Sequence, residues 1–301
     1  VIANIAASIR ERLLNIAKQR GEDFDFVLTQ YAMQRLLYRL SVSEFKDRFL
    51  LKGALLFSVW RGDLYRPTRD IDLLSFGAST VVHLVEAFRN ICRVEAGVDD
   101  GIVFDPDSIR GREIKEDAVY PGIRITGHAI LAKARIAIQV DIGFGDVVTP
   151  GVEQAVLPCY LDLPAPRLNV YPVYTVIAEK FQAMAELGFS NSRMKDFFDI
   201  WLLSRQFDFD GVTLASAISA TFANRKTTLV DNPVAFSETF SKDPGKQIQW
   251  RAFVRKSRLD KTPDNLAEVT ALISEFLMPV AYAILRGEKF TKQWHAPGPW
   301  V

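Results

Sequence analysis

The sequence predicts an α/β protein of the α+β type, with N-terminal helices, a mixed sheet and a helical C-terminal half. Three observations predict it. Apolar residues recur at helical spacing through the first forty positions. Period-two alternation is concentrated between about 70 and 144. Beyond Pro172 the pattern returns to helical spacing for most of the chain.

In order, Ile5, Ile9, Leu13 and Ile16 mark a helix over residues 3–19. Asp23 or Asp25 is placed to cap a second helix over about 26–40. FLLKGALLFSVWRG reads as an apolar helix with Gly53 near its start and Gly62 near its end. DIDLLSF reads as a short strand that puts Asp70, Asp72 and Leu74 on one face. Val81, Leu84, Val85, Phe88 and Ile91 mark a helix over 80–95. Three strands follow, and the last is the clearest: Ile136, Ile138, Val140 and Ile142 alternate with Arg135, Ala137, Gln139 and Asp141. Pro158, Pro164, Pro166 and Pro172 punctuate a connection. Helices are then expected over VYTVIAEKFQAMAEL, RMKDFFDIWLLSRQF, 212–223, 245–257 and 264–286, before an irregular tail, KQWHAPGPWV. The expected division is residues 1–165 and residues 166–301.

Composition narrows the class. Of 301 residues, 49% are hydrophobic and 24% charged, ordinary values for a globular protein with a substantial core. The net charge of +1 means that any attraction for a polyanion must come from a local patch. Cys92 and Cys159 lack metal-ligand spacing, and three scattered histidines argue against a histidine metal site. No apolar run approaches the roughly 20 residues that span a bilayer, and the N-terminal residues mix charged and apolar types, unlike a secretory signal. The expectation is a cytoplasmic protein without a membrane partner.

Asp70 and Asp72, one residue apart on a strand, stand about 7 Å apart along one face. Two carboxylates so close repel unless a cation sits between them, and magnesium or manganese takes such oxygen ligands. Asp141, on the polar face of its strand, is the expected third ligand if that strand neighbours the first. It is also a candidate acceptor for the proton of an attacking hydroxyl. Gly53 suits either close phosphate approach or tight packing. Lys52, Arg66 and Arg69 are candidate phosphate contacts or solvated loop charges. Downstream, Asp196 and Asp199 share a helix face, and Lys180 has an apolar setting that would direct its ammonium into a cleft or into an ion pair with Asp196.

The segment LLKGALLFSVWRGDLYRPTRDIDLL, followed by VIAEKFQAMAELGFSNSRMKDFFDIWLL, resembles the paired signatures of the AbiEii/AbiGii nucleotidyltransferase toxin family of type IV toxin–antitoxin systems. With FDFVLTQYAMQRLLYRLSVSEFKDRFLLKG, the resemblance covers about residues 24–206. It implies a polymerase-β-like nucleotidyltransferase core that transfers a nucleotide from a nucleoside triphosphate to RNA. The implied acceptor is the tRNA 3′ end, the implied ion is magnesium or manganese, and the implied partner is an antitoxin. By position it makes Asp70 and Asp72 metal ligands, Lys180 a phosphate contact and Asp196 a catalytic-motif acid. It places Gly53, Ala54, Arg66, Thr68, Arg69 and Arg193 in the nucleotide-binding signatures. Ala54 departs from the family's usual second glycine or serine. Acceptor alternatives are a protein or small-molecule hydroxyl. A catalytically inactive regulatory protein or a metal-dependent nuclease would use the same residues differently.

Seven basic residues lie between 242 and 261: Lys242, Lys246, Arg251, Arg255, Lys256, Arg258 and Lys261. Arg251, Arg255 and Arg258 follow i, i+4, i+7 spacing, with Trp250 and Phe253 interleaved. This face is either an RNA-docking surface or the solvated side of a core helix.

Overall fold

Capping residues set the N-terminal helices. The structure, a computed structural model, describes residues 4–62, 67–77, 79–116, 120–257, 259 and 262–301. Helix α1 spans Ile5–Arg20; Asn4 accepts the Ala7 N–H at its start, and Gly21 ends it in the left-handed region. Helix α2 spans Phe24–Ser41, with Asp23 accepting the Phe26 N–H.

The next segment corrects the sequence reading. Phe49–Lys52 is strand β1, fully buried; Gly53–Leu55 forms a 3-10 turn, and only Leu56–Arg61 is helix α3. A continuous apolar run suits a buried strand as well as a helix, so periodicity does not separate them. Strand β2 is Ile71–Ser75, helix α4 is Val81–Arg93, and β3, β4 and β5 are Ile102–Glu116, Tyr120–Leu131 and Ala134–Phe144. The proline-marked connection holds two further strands, β6 at Glu153–Val156 and β7 at Arg167–Val170. Their order is β3-β4-β5-β2-β1-β7-β6. β2 runs parallel to β5 and β1 parallel to β7, whereas the remaining pairs are antiparallel, so the sheet is mixed as expected.

α2 packs beside β5 and β7. Its Arg35 and Arg39 reach the buried carboxylate of Asp100: Arg35 Nε donates to Oδ2 at 2.7 Å, and Arg39 Nη1 and Nη2 donate to Oδ2 and Oδ1 at 2.8 and 3.1 Å. Burial pushes the Asp100 pKa up, but the two guanidiniums outweigh it and hold the group below its ordinary value.

The remaining elements are α5 Val173–Leu187, α6 Met194–Gln206, β8 Phe209–Asp210, α7 Gly211–Asn224, α8 Glu238–Ser241, α9 Pro244–Ser257, α10 Leu266–Arg286 and β9 Gln293–Trp294. The chain forms two compact units: Val1–Gly145 with Glu153–Val170, and Asp146–Val152 with Tyr171–Val301. The C-terminal segment is more ordered than an irregular tail. β9 pairs with β8, and the buried indoles of Trp294 and Trp300 donate to the Ser204 and Phe276 carbonyls. α10 is long and apolar enough to cross a membrane, contrary to the sequence reading. Its Val269, Ile273, Phe276, Leu277 and Val280 are wholly buried in the second unit, as in a core helix.

Candidate active site

The sheet register assembles the acidic site. Lys52 on β1 lies opposite Asp72 on β2, Asp72 opposite Asp141 on β5, and Asp141 opposite Arg124 on β4. Directly opposed residues project to the same face of a sheet. Four neighbouring strands therefore carry one row of alternating chemistry: cation, carboxylate, carboxylate, cation. Asp70 joins from the residue just before β2. Asp70, Asp72 and Asp141 each place a carboxylate oxygen within 4.8 Å of the others.

Each carboxylate is held by a different device. The Thr68 hydroxyl donates to Asp70 Oδ1 through a short hydrogen bond. Gln30 Nε2 on α2 donates to the Thr68 carbonyl at 2.6 Å, fixing the backbone that delivers Asp70. Asp72 is packed against Gly53. That glycine has φ +74°, and a Cβ there would lie 1.9 Å from Asp72 Oδ2. Its backbone sign and its missing side chain are both required, because a Cβ would occupy the space of the carboxylate. Asp141 takes a bidentate pair, with Arg124 Nε donating to Oδ1 and Nη2 to Oδ2, both at 2.7 Å. The bonds to Asp141 raise the Arg124 pKa against a burial effect that lowers it, and Asp70 and Asp72 add to the rise. One guanidinium thus already answers the field of all three aspartates. A hard divalent cation fits this oxygen donor set, since each ligand is a carboxylate and the three converge.

Among the other residues expected from the sequence, Ala54 is buried in the 3-10 turn and Thr68 is buried with its hydroxyl on Asp70. Arg69 is exposed, 3.5 Å from Asp23, with its guanidinium over the Phe26 ring. Arg66 lies outside the described residues. Sequence reasoning missed Arg124 and Gln30. Arg124 interrupts the apolar pair Ile123 and Ile125, but only the register reveals what it faces.

The second unit gathers the downstream motif by itself. Lys180 Nζ lies 2.6 Å from Asp196 Oδ1 and 2.9 Å from Asp199 Oδ2, and Arg193 Nε lies 2.6 Å from Asp196 Oδ2. Asp196 is completely buried. Burial alone would raise its pKa; Lys180, Arg193 and Lys195 instead hold it well below the usual carboxylate range. The ion pair expected between Lys180 and Asp196 is present.

The basic helix divides. Arg251 and Arg255 on α9 are exposed, while Trp250 is wholly buried. Lys246 is buried and structural, contrary to its grouping with the basic face. Its ammonium donates to the Asn191 carbonyl at 2.9 Å and sits over the Phe189 and Phe240 rings. Arg258 and Lys261 lie outside the described residues.

Fold and site together define a mixed α/β protein with three converging carboxylates on its sheet. Within that class the chain belongs to the AbiEii family: residues 35–272 match the family described as nucleotidyl transferase AbiEii toxin, Type IV TA system. Among solved structures it is similar to a candidate nucleotidyltransferase from H. pylori, with a TM-score of 0.47 and 15% identity over 87% of this chain and 95% of that one. It is also similar to JHP933 from Helicobacter pylori, with a TM-score of 0.45 and 15% identity over 87% of this chain and 92% of that one. No curated protein matches the chain.

Proposed function

We propose that this protein transfers a nucleotidyl group from a nucleoside triphosphate to an RNA acceptor, the tRNA 3′ end, with magnesium held by Asp70, Asp72 and Asp141. The observation that carries this reading is the convergence of the three carboxylates within 4.8 Å, in a chain of a nucleotidyl transferase family. Bound there, magnesium would neutralise triphosphate charge and stabilise the attacking and leaving oxygens of an in-line displacement. The acceptor hydroxyl attacks the α-phosphorus and releases its proton to solvent; as the new P–O bond forms, the α–β phosphoanhydride bond breaks and pyrophosphate leaves.

The chain's residues have distinct parts in this reading. Asp70 and Asp72 are the metal ligands best supported by strand position and family signature. Asp141 completes the set, oriented by Arg124. Because Arg124 donates to both of its oxygens, Asp141 serves better as a fixed ligand than as the proton acceptor. Lys180, ion-paired with two carboxylates, and Arg193 serve the nucleotide phosphates, with Asp196 orienting both. Arg251 and Arg255 offer exposed positive charge to an RNA backbone. A cytoplasmic location and a cognate antitoxin that restrains the enzyme accord with the family's toxin–antitoxin description.

The test is incubation of the purified protein with magnesium, each labelled triphosphate and total tRNA. Label should appear on tRNA and fall to background for Asp70→Ala. Label on protein would transfer the reading to another acceptor. Shortened, unlabelled RNA would make the protein a nuclease.

A further inference from the structure

The first unit contains a cavity of about 480 Å³ between α2, α3 and the segment following β6. That volume falls in the roughly 300–1,000 Å³ range of small-ligand pockets. Its polar lining includes Glu22, Gln30, Gln34, Ser58, Cys159 and Tyr160. Gln30 and Gln34 are each more than nine-tenths buried.

Their hydrogen bonds fix which way each amide points. Gln34 accepts the Tyr160 N–H at 3.1 Å, so its oxygen is committed and its Nε2 remains a donor. Gln30 donates Nε2 to the Thr68 carbonyl, so its Oε1 remains an acceptor. Glu22 adds an acceptor, because its Oε2 is buried without a hydrogen-bond partner. An orphaned buried carboxylate oxygen is costly, and a ligand donor would relieve it. Tyr160 supplies an aromatic face, with the Arg20 guanidinium 5.1 Å from its centroid. The lining thus offers two acceptors and one amide donor beside an aromatic surface, with the Arg20 guanidinium and the Ser58 hydroxyl also on its wall.

We propose that this cavity is a nucleobase pocket selecting a base that carries an exocyclic amine beside a ring-nitrogen acceptor, as adenine and cytosine do. The amine donates to Glu22 or Gln30, the ring nitrogen accepts from Gln34 Nε2, and the ring packs on Tyr160. The same Gln30 amide holds the Thr68 carbonyl, and Thr68 holds Asp70. Filling the pocket therefore bears on the carboxylate site through Gln30 and Thr68. The proposal deepens the transferase reading and depends on it only for the purpose of the pocket; the base can belong to the triphosphate or to the acceptor RNA.

The test uses full-length protein, wild type and Asp70→Asn, with magnesium chelated. Adenosine, cytidine, uridine and inosine are compared by calorimetric titration and by protection of Cys159 from a maleimide, read by mass spectrometry. Cys92 is the internal control, since it is buried whereas Cys159 is only partly so. Adenosine or cytidine should bind about tenfold tighter than inosine and uridine and protect Cys159 in both proteins, as each well-made base contact implies. Gln34→Leu should remove that binding. Glu22→Gln, which exchanges an acceptor for a donor, should move the preference toward inosine and uridine. The wild-type footprint decides even if Gln34→Leu fails to fold. Competition of the favoured nucleoside with triphosphate assigns the pocket to the donor nucleotide, and competition with tRNA assigns it to the acceptor. Equal protection by all four nucleosides, or by none, overturns the pocket while leaving labelled transfer to tRNA untouched. Selective protection without any transfer leaves the pocket standing and removes the transferase reading.

Discussion

At the scale of single residues, the site depends on two side-chain choices. Gly53 is glycine because Asp72 occupies the space of its Cβ and because its backbone is left-handed. Gly53→Ala costs about 1–2 kcal/mol in backbone strain alone and must also displace the carboxylate. We expect Mn²⁺ affinity, read by paramagnetic titration, to fall about tenfold or more, with a melting temperature lowered by only a few degrees. A preserved affinity would mean that Asp72 is not a ligand. Arg124 acts differently, because it orients Asp141 but adds positive charge beside the proposed cation site. Arg124→Gln should therefore lower transfer about 10–100-fold while Mn²⁺ binds at least as tightly as before. Weaker Mn²⁺ binding would show that orientation outweighs charge relief.

Elements decide how much of this could be read in advance. The Asp70–Asp72 spacing and the alternation that marks Asp141 are local properties of one strand, so they are legible along the chain. Arg124 is not, because its meaning lies in the β4–β5 register, a pairing between residues 17 apart. Gln30 is hidden for the same reason, since its partner Thr68 is 38 residues away. β1 was obscured by an unbroken apolar run, and β6 and β7 by their four-residue length among prolines. On α9 the basic pattern proved divisible by burial. Lys246 serves the core, whereas Arg251 and Arg255 are exposed. The double substitution Arg251→Glu and Arg255→Glu should leave the fold and triphosphate binding unchanged. It should reduce tRNA transfer at least about tenfold, most strongly at low salt, where charge reversal on a phosphate-contacting face is least screened. Unchanged transfer across a salt series would remove α9 from the RNA-binding surface.

At the scale of the whole molecule, each unit buries an aspartate among cations: Asp100 between Arg35 and Arg39 in the first, and Asp196 between Lys180 and Arg193 in the second. Both have pKa values lowered by folding, against the opposing effect of burial. The ionised form is then favoured by the native state. Its stabilisation is complete above the unfolded carboxylate pKa of about 4 and is lost as pH falls through the lower native value. Replacing Asp100 with Asn leaves two guanidiniums without their counter-charge in a buried site, which costs on the order of 3–5 kcal/mol at neutral pH. Guanidinium unfolding of wild type and Asp100→Asn, repeated from pH 7 to pH 3, should show that difference constant above about pH 5 and narrowing below about pH 4. The narrowing follows because the unfolded chain's Asp100 takes up a proton at about pH 4 that folding must then remove, whereas asparagine carries no such linkage. A difference that stays constant to pH 3 would assign the cost to lost hydrogen-bond geometry rather than to charge, and the Asp100 carboxylate would no longer explain how α2, whose Gln30 holds the Thr68 carbonyl, is fixed.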